Sequence, residues 1–180
     1  RYQGFYLPFP AIDSLNRQNT YSHNLYVLHT IGSHWYYNNH VPESHHFFQP
    51  ISNNRTVTYN TPEQVINSYD NTALYLDYII ASVANRFENR CAIMLYLSDH
   101  GEALGENGKW LHAGSVEAMH YPAALVWYSD LYAQLYPKKV SALKENRTKK
   151  YRTDYLFYSI LSAGGIEVES AKKDLDIFSR

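Results

Sequence analysis

The sequence predicts an α/β fold, a mainly parallel sheet flanked by helices, and three observations carry that prediction. Residues 91–97 form an uncharged apolar run, suited to one central strand covered on both faces and far too short to cross a membrane. A helix-periodic stretch, residues 61–90, leads directly into it. A shorter apolar run, residues 25–28, precedes that stretch, so the order is strand, helix, strand, a crossover that forces parallel strands and a right-handed connection. At 180 residues and 45% apolar content, the chain suits one compact domain.

Pro8 and Pro10 argue against regular structure before a short helix over residues 11–17. Residues 25–28, LYVL, read as a buried strand that exits into His29, Gly32 and His34. Residues 35–60 are rich in Asn, His, Tyr and Pro without a period, which predicts a long surface loop of the kind that usually serves function. The helix after it has a start signal: Thr61 can cap, Pro62 suits the first helical position, and Gln64 can reach back to close a capping box. Its apolar stripe of Ile66, Tyr69, Ala73, Leu76, Ile80, Val83 and Phe87 steps by threes and fours and predicts the face laid along the sheet.

A third strand is expected over residues 121–128, with Pro122 near its start, where a missing donor costs least. A short helix is expected over residues 130–136. Residues 138–152 hold seven basic residues against Glu145 alone and read as a solvated linker, contact with anionic lipid headgroups being the sharper alternative. Thr153 is expected to cap a last helix with the face Leu156, Phe157, Ile160 and Leu161, closed by Gly164 and Gly165. The charged tail from Ile166 is expected to fray or to add an edge strand.

Composition narrows the function. A formal charge of −1, from 16 basic and 17 acidic residues, gives no global attraction to nucleic acid, so anion binding must be local. Cys91 is the single cysteine, which excludes a disulfide framework and a thiolate metal site; it reads as an inert core thiol. The chain contains no apolar run of the length a membrane span needs and does not open on Met or on a signal-like segment, so it reads as a fragment of a longer protein. Its 18 tyrosines and 9 histidines suit a lipid headgroup or a glycan.

The chemistry gathers where the run 91–97 ends, because reactive groups in open α/β sheets lie past the carboxyl ends of the strands. Asp99 and His100 fall there, and a carboxylate beside an imidazole makes two zinc ligands, with a tight Gly101 turn letting both face one cavity. Alone, an Asp-His-Gly tripeptide is more often an ordinary turn. The glycine-punctuated loop that follows and ends at His112 argues for more. Glu102 and Glu106 within it read as capping or solvated rather than as ligands of a second ion. His29 reads as packed or supporting, His40, His45 and His46 as solvated, and His120 as structural.

Four stretches together, HTIGSHW (29–35), SYDNTALYLDYII (68–80), YLSDHGEALGENGKWLH (96–112) and DYLFYSIL (154–161), resemble the catalytic domain of bacterial phosphoethanolamine transferases in order and spacing. These belong to the sulfatase and alkaline phosphatase superfamily. The resemblance implies that residues 1–180 are the C-terminal portion of one sulfatase-like catalytic domain, with an N-terminal membrane bundle and the first half of that domain upstream. It implies transfer of phosphoethanolamine from phosphatidylethanolamine to a lipopolysaccharide acceptor, lipid A or a core sugar, at the periplasmic face of the bacterial inner membrane. It further implies Zn2+ bound by Asp99 and His100, and a substrate phosphate held by His34 and His112. The family's threonine nucleophile and a further glutamate ligand would lie upstream, since no threonine here sits in a Gly/Thr/Ser-rich turn opening a helix. The chain alone is therefore expected to be inactive. The alternatives are a hydrolase or phosphoglycerol transferase of the same superfamily, or a non-catalytic module that binds a phospholipid or glycan.

Overall fold

The computed structural model describes residues 9–18, 20–112, 114–169 and 172–179. Its elements are α1 Phe9–Gln18, α2 Pro62–Phe87, β1 Ile93–Leu97, β2 Ala103–Leu104, β3 Trp110–Leu111, β4 Ala124–Tyr128, α3 Asp130–Leu135, α4 Pro137–Asn146 and α5 Tyr155–Ala163. The α/β class holds. Two compact units divide the chain, residues 1–83 with 96–125, and residues 84–95 with 126–180.

In the first unit, α2 begins as its sequence specifies. The Gln64 N–H donates to Thr61 Oγ1 at 3.2 Å, and the Thr61 N–H donates to Gln64 Oε1 at 2.8 Å, a reciprocal capping box. The buried face differs from the expected apolar stripe. Val65, Ser68, Asn71, Thr72 and Tyr75 are buried; of the expected stripe Val83 is buried, Tyr69, Leu76, Ile80 and Phe87 are half-buried, and Ile66 and Ala73 are exposed. The reason lies in what covers the helix, which is irregular backbone whose polar groups need side-chain partners. Ser68 Oγ accepts the Ser52 N–H at 2.8 Å, and the Asn71 amide both accepts from the Phe48 N–H at 2.9 Å and donates to the Phe48 carbonyl at 3.0 Å. The loop over residues 35–60 is thereby ordered, with 3-10 turns at Tyr37–His40, Glu43–His45 and Val57–Tyr59.

Residues 25–28 do not form the expected strand. Leu25 and Val27 are 73% and 82% exposed, and the segment carries no regular structure. A strand exists only with a hydrogen-bonded neighbour. Among the described residues the pairings are β1 with β4 and β2 with β3, so the parallel crossover expected from residues 25–97 is not formed. The Ser98 N–H donates to the Ala123 carbonyl and the Ser129 N–H to the Ala92 carbonyl, which sets the start of β1 against the end of β4, an antiparallel pairing. With β4 as its neighbour β1 is only partly buried, and Cys91, outside the strand, is exposed rather than a core thiol. The glycine-punctuated stretch after β1 also holds an unexpected hairpin, β2 against β3, with Ala103 opposite Leu111 and Leu104 opposite Trp110.

In the second unit, Ser129 caps α3 by accepting the Tyr132 N–H at 3.1 Å. The expected basic linker is instead half helical. Pro137 occupies the first turn of α4, where its missing donor is harmless, and Val140, Ala142 and Asn146 are buried while Lys138 and Lys144 stay exposed. The last helix begins after Asp154, with no side-chain cap from Thr153, and buries Ser159 and Ala163 in place of Phe157, which is exposed. Its end is as expected: the Gly165 N–H donates to the Ser162 carbonyl and the Ile166 N–H to the Leu161 carbonyl, with Gly165 at φ 71°, a Schellman closure. The tail docks rather than frays. Ile177 and Phe178 join Ala163 in a core packed by Ile93, Leu95, Val126 and Leu143, and the Asn146 amide donates to the Ile177 and Ser179 carbonyls.

Candidate metal and phosphate site

All four residues singled out in the sequence, His34, Asp99, His100 and His112, lie in the first unit, and their side chains converge. Asp99 and His100 follow β1 directly. The His100 N–H donates to Asp99 Oδ1 at 3.1 Å, and His100 Nε2 stands 3.7 Å from Asp99 Oδ2. The His112 ring lies 4.5 Å from the His100 ring, and the His34 ring 5.9 Å from the His112 ring, centroid to centroid.

Each of the three imidazoles turns Nδ1 toward an oxygen. His34 Nδ1 donates to the Trp35 carbonyl at 2.5 Å, His100 Nδ1 donates to the Gly101 carbonyl at 2.7 Å, and His112 Nδ1 stands 3.4 Å from Glu102 Oε1. An imidazole that gives its Nδ1 proton to an oxygen keeps a lone pair on Nε2, the atom free to bind a metal or, once protonated, to donate to phosphate. Asp99, with its side chain 87% exposed, leaves its carboxylate oxygens open to a cation.

Those donors fit zinc as two of its ligands. Two atoms bound to one tetrahedral zinc lie about 3.4 Å apart, close to the Asp99 to His100 separation. No group of three or more His, Cys, Asp or Glu side chains suited to a metal exists among the described residues, so the pair would need ligands from elsewhere to close a site.

Glu102 was read as capping or solvated, and the structure corrects this. Its side chain is 6% exposed, facing His112 and the buried Tyr37. Burial raises its carboxyl above the usual range, an effect opposed by His112, Tyr37 and His100. Burial and the neighbouring Glu102 raise the Tyr37 hydroxyl as well. The hairpin explains the arrangement: with Ala103 opposite Leu111, the next residues outward, Glu102 and His112, face each other across the strands. A turn signal was available in Gly105, Asn107 and Gly108, all at positive φ. Reading it as a hairpin would have paired the two. Glu106 is exposed, as expected for a solvated residue, and accepts the Leu104 N–H at 2.7 Å.

The other histidines separate. His40 is half-buried with its ring 6.2 Å from that of His34, and burial followed by His34 lowers its pKa from 6.5. His45 packs among Phe47, Tyr75 and Tyr78 rather than being solvated, and His46 is part-buried. His29 and His120 are exposed.

The sequence model of the family described as Sulfatase matches residues 9–166. Phosphoethanolamine transferase EptA of Escherichia coli O157:H7 is 38% identical over 154 residues, covering 79% of this chain; the chain spans 28% of that relative's length. The soluble domain of lipooligosaccharide phosphoethanolamine transferase A from Neisseria meningitidis superposes with a TM-score of 0.83 at 29% identity, over 94% of this chain and 53% of that one. The C-terminal periplasmic domain of phosphoethanolamine transferase EptC from Campylobacter jejuni does so with a TM-score of 0.84 at 28% identity, over 97% and 57%. The periplasmic domain of EcEptC from Escherichia coli, solved as a complex with Zn, shares the fold with a TM-score of 0.67 at 22% identity, over 82% and 43%.

Proposed function

The chain belongs to the sulfatase family, and from that premise we propose that it is the C-terminal portion of the periplasmic catalytic domain of a phosphoethanolamine transferase. The donor is phosphatidylethanolamine, the acceptor a lipopolysaccharide carrying lipid A or a core sugar, and the setting the periplasmic face of the inner membrane. A membrane bundle, a threonine nucleophile and a glutamate ligand belong to the rest of the protein. The observation that carries the reading is the convergence of His34, His100 and His112, each with Nδ1 turned to an oxygen, a backbone carbonyl for His34 and His100 and Glu102 Oε1 at 3.4 Å for His112, which leaves Nε2 for metal or phosphate.

Asp99 and His100 would hold Zn2+, which, when bound, would lower the pKa of the attacking hydroxyl and offset charge on the phosphorus oxygens. Zinc in the EcEptC domain and a donor pair at the right separation support this. His34 and His112 bind the non-bridging oxygens through protonated Nε2. The threonine hydroxyl gives up its proton to solvent as its oxygen bonds to phosphorus, the phosphorus to glycerol-oxygen bond breaks, and an imidazolium gives its proton to the departing diacylglycerol oxygen. The acceptor hydroxyl then gives its proton to that neutral imidazole as its oxygen bonds to phosphorus, and the threonine oxygen leaves and takes a proton back from solvent.

The test uses the longer protein that contains this chain. It should release labelled diacylglycerol from fluorescent phosphatidylethanolamine in the presence of lipid A, and His112→Ala and His34→Ala should each lower that rate by about 100-fold or more, the range of a lost acid or base. An unaltered rate demotes the histidine to a structural role. Transfer of phosphate to water would indicate a hydrolase, release from phosphatidylglycerol alone a phosphoglycerol transferase, and binding without turnover a non-catalytic module.

A further inference from the structure

We infer that Glu102 is a positioning residue for His112: its buried carboxylate takes the Nδ1 proton of that imidazole and so turns Nε2 toward the phosphate, a role that rests on the function proposed above. Three observations support it. The hairpin register puts the two residues opposite one another, and His112 Nδ1 stands 3.4 Å from Glu102 Oε1, an ion-pair distance slightly long for a hydrogen bond. Contacts of this class tighten when a substrate engages the far nitrogen. Glu102 is also 6% exposed, and a buried carboxylate is costly unless groups around it use its charge or its lone pairs. The groups opposite it are the His112 ring and the wholly buried Tyr37; Glu102 Oε1 and the Tyr37 hydroxyl both lack a partner within hydrogen-bond geometry among the described residues, so the carboxylate has an oxygen open to His112.

The third observation is a contrast. His34 and His100 are anchored on the carbonyls of the residues that follow them, Trp35 and Gly101, which no side-chain substitution removes. His112 alone has a side-chain oxygen, Glu102 Oε1 at 3.4 Å, facing its Nδ1. One substitution can therefore release its ring while leaving the other two in place, and supporting partners of this kind are commonly worth a large part of an active site's rate.

The experiment reads the His112 ring nitrogens in the 15N-labelled longer protein that contains this chain. The unmodified chain should show a protonated Nδ1 and a bare Nε2. Glu102→Leu, which offers no acceptor, should shift the proton toward Nε2, while Glu102→Gln, which keeps an acceptor oxygen, should hold the original form. The same pattern in the unmodified and Glu102→Leu chains, or a protonated Nε2 in the unmodified chain, overturns the inference. Should Glu102→Leu fail to fold by circular dichroism, the unmodified and Glu102→Gln spectra decide alone. In the longer protein, Glu102→Leu should lower kcat by about 10- to 100-fold with KM nearly unchanged, and Glu102→Gln should recover part of the loss. A loss confined to KM counts against positioning. If the unmodified protein transfers no phosphoethanolamine, the proposed function fails, and the nitrogen spectra still judge Glu102 by themselves.

Discussion

A Cβ placed on Gly101 would lie 1.9 Å from the carbonyl oxygen of Ala118, and the Gly101 N–H donates to the neighbouring Met119 carbonyl at 3.0 Å. The glycine that follows Asp99 and His100 is thus required by a close approach of backbone to backbone, since its φ is not among the positive ones. Gly101→Ala must push apart two segments that share a hydrogen bond. It should cost about 3 kcal/mol, the upper end of overpacking, read as a lowered denaturant midpoint with unchanged slope.

Asp99 and His100 stand 3.7 Å apart, and in the proposed site the loss of either would leave a bound cation with one fewer ligand. In the longer protein, Asp99→Ala should remove most of the zinc found by elemental analysis of the purified enzyme. Zinc content equal to that of the unmodified protein takes Asp99 out of the ligand set.

The Asn71 amide holds both polar groups of Phe48 and is buried on α2. Asn71→Leu would leave an N–H and a carbonyl without their partner, at about 1 to 3 kcal/mol for each that stays buried. The expected result is a less stable first unit and faster amide exchange at Phe48. Exchange at Phe48 as slow as in the unmodified chain would show that the loop is held by other contacts.

His40 gives a pH dependence with a definite sign. Its folded pKa lies below 6.5, chiefly through burial and then through His34, so the folded chain refuses a proton that the unfolded chain accepts. The stabilisation is present above 6.5 and is lost as pH falls through the lowered folded value. His40→Gln should make the denaturant midpoint less sensitive to acid in that window. An identical pH profile in both chains would contradict it.

Much of the site was legible because its determinants are local. The end of an apolar run fixes where Asp99 and His100 emerge, the Thr61 and Gln64 spacing fixes the start of α2, and Gly164 with Gly165 fixes the end of α5. Hydrophobic periodicity placed Val83 correctly but missed Ser68 and Asn71 on α2, because those buried side chains answer to the hydrogen-bonding needs of a loop rather than to apolar contact. It also misjudged residues 25–28, since an apolar extended segment becomes a strand only when another strand lies beside it.

The sequence by itself determined which side chains can do chemistry and where most elements begin and end, because caps, turns and apolar runs act over a few residues. The tertiary structure alone decided that His34, His100 and His112 share one site and that Glu102 is buried behind His112. Those relations depend on a hairpin register and on a loop folded against α2, where segments distant in the chain must satisfy one another's polar groups.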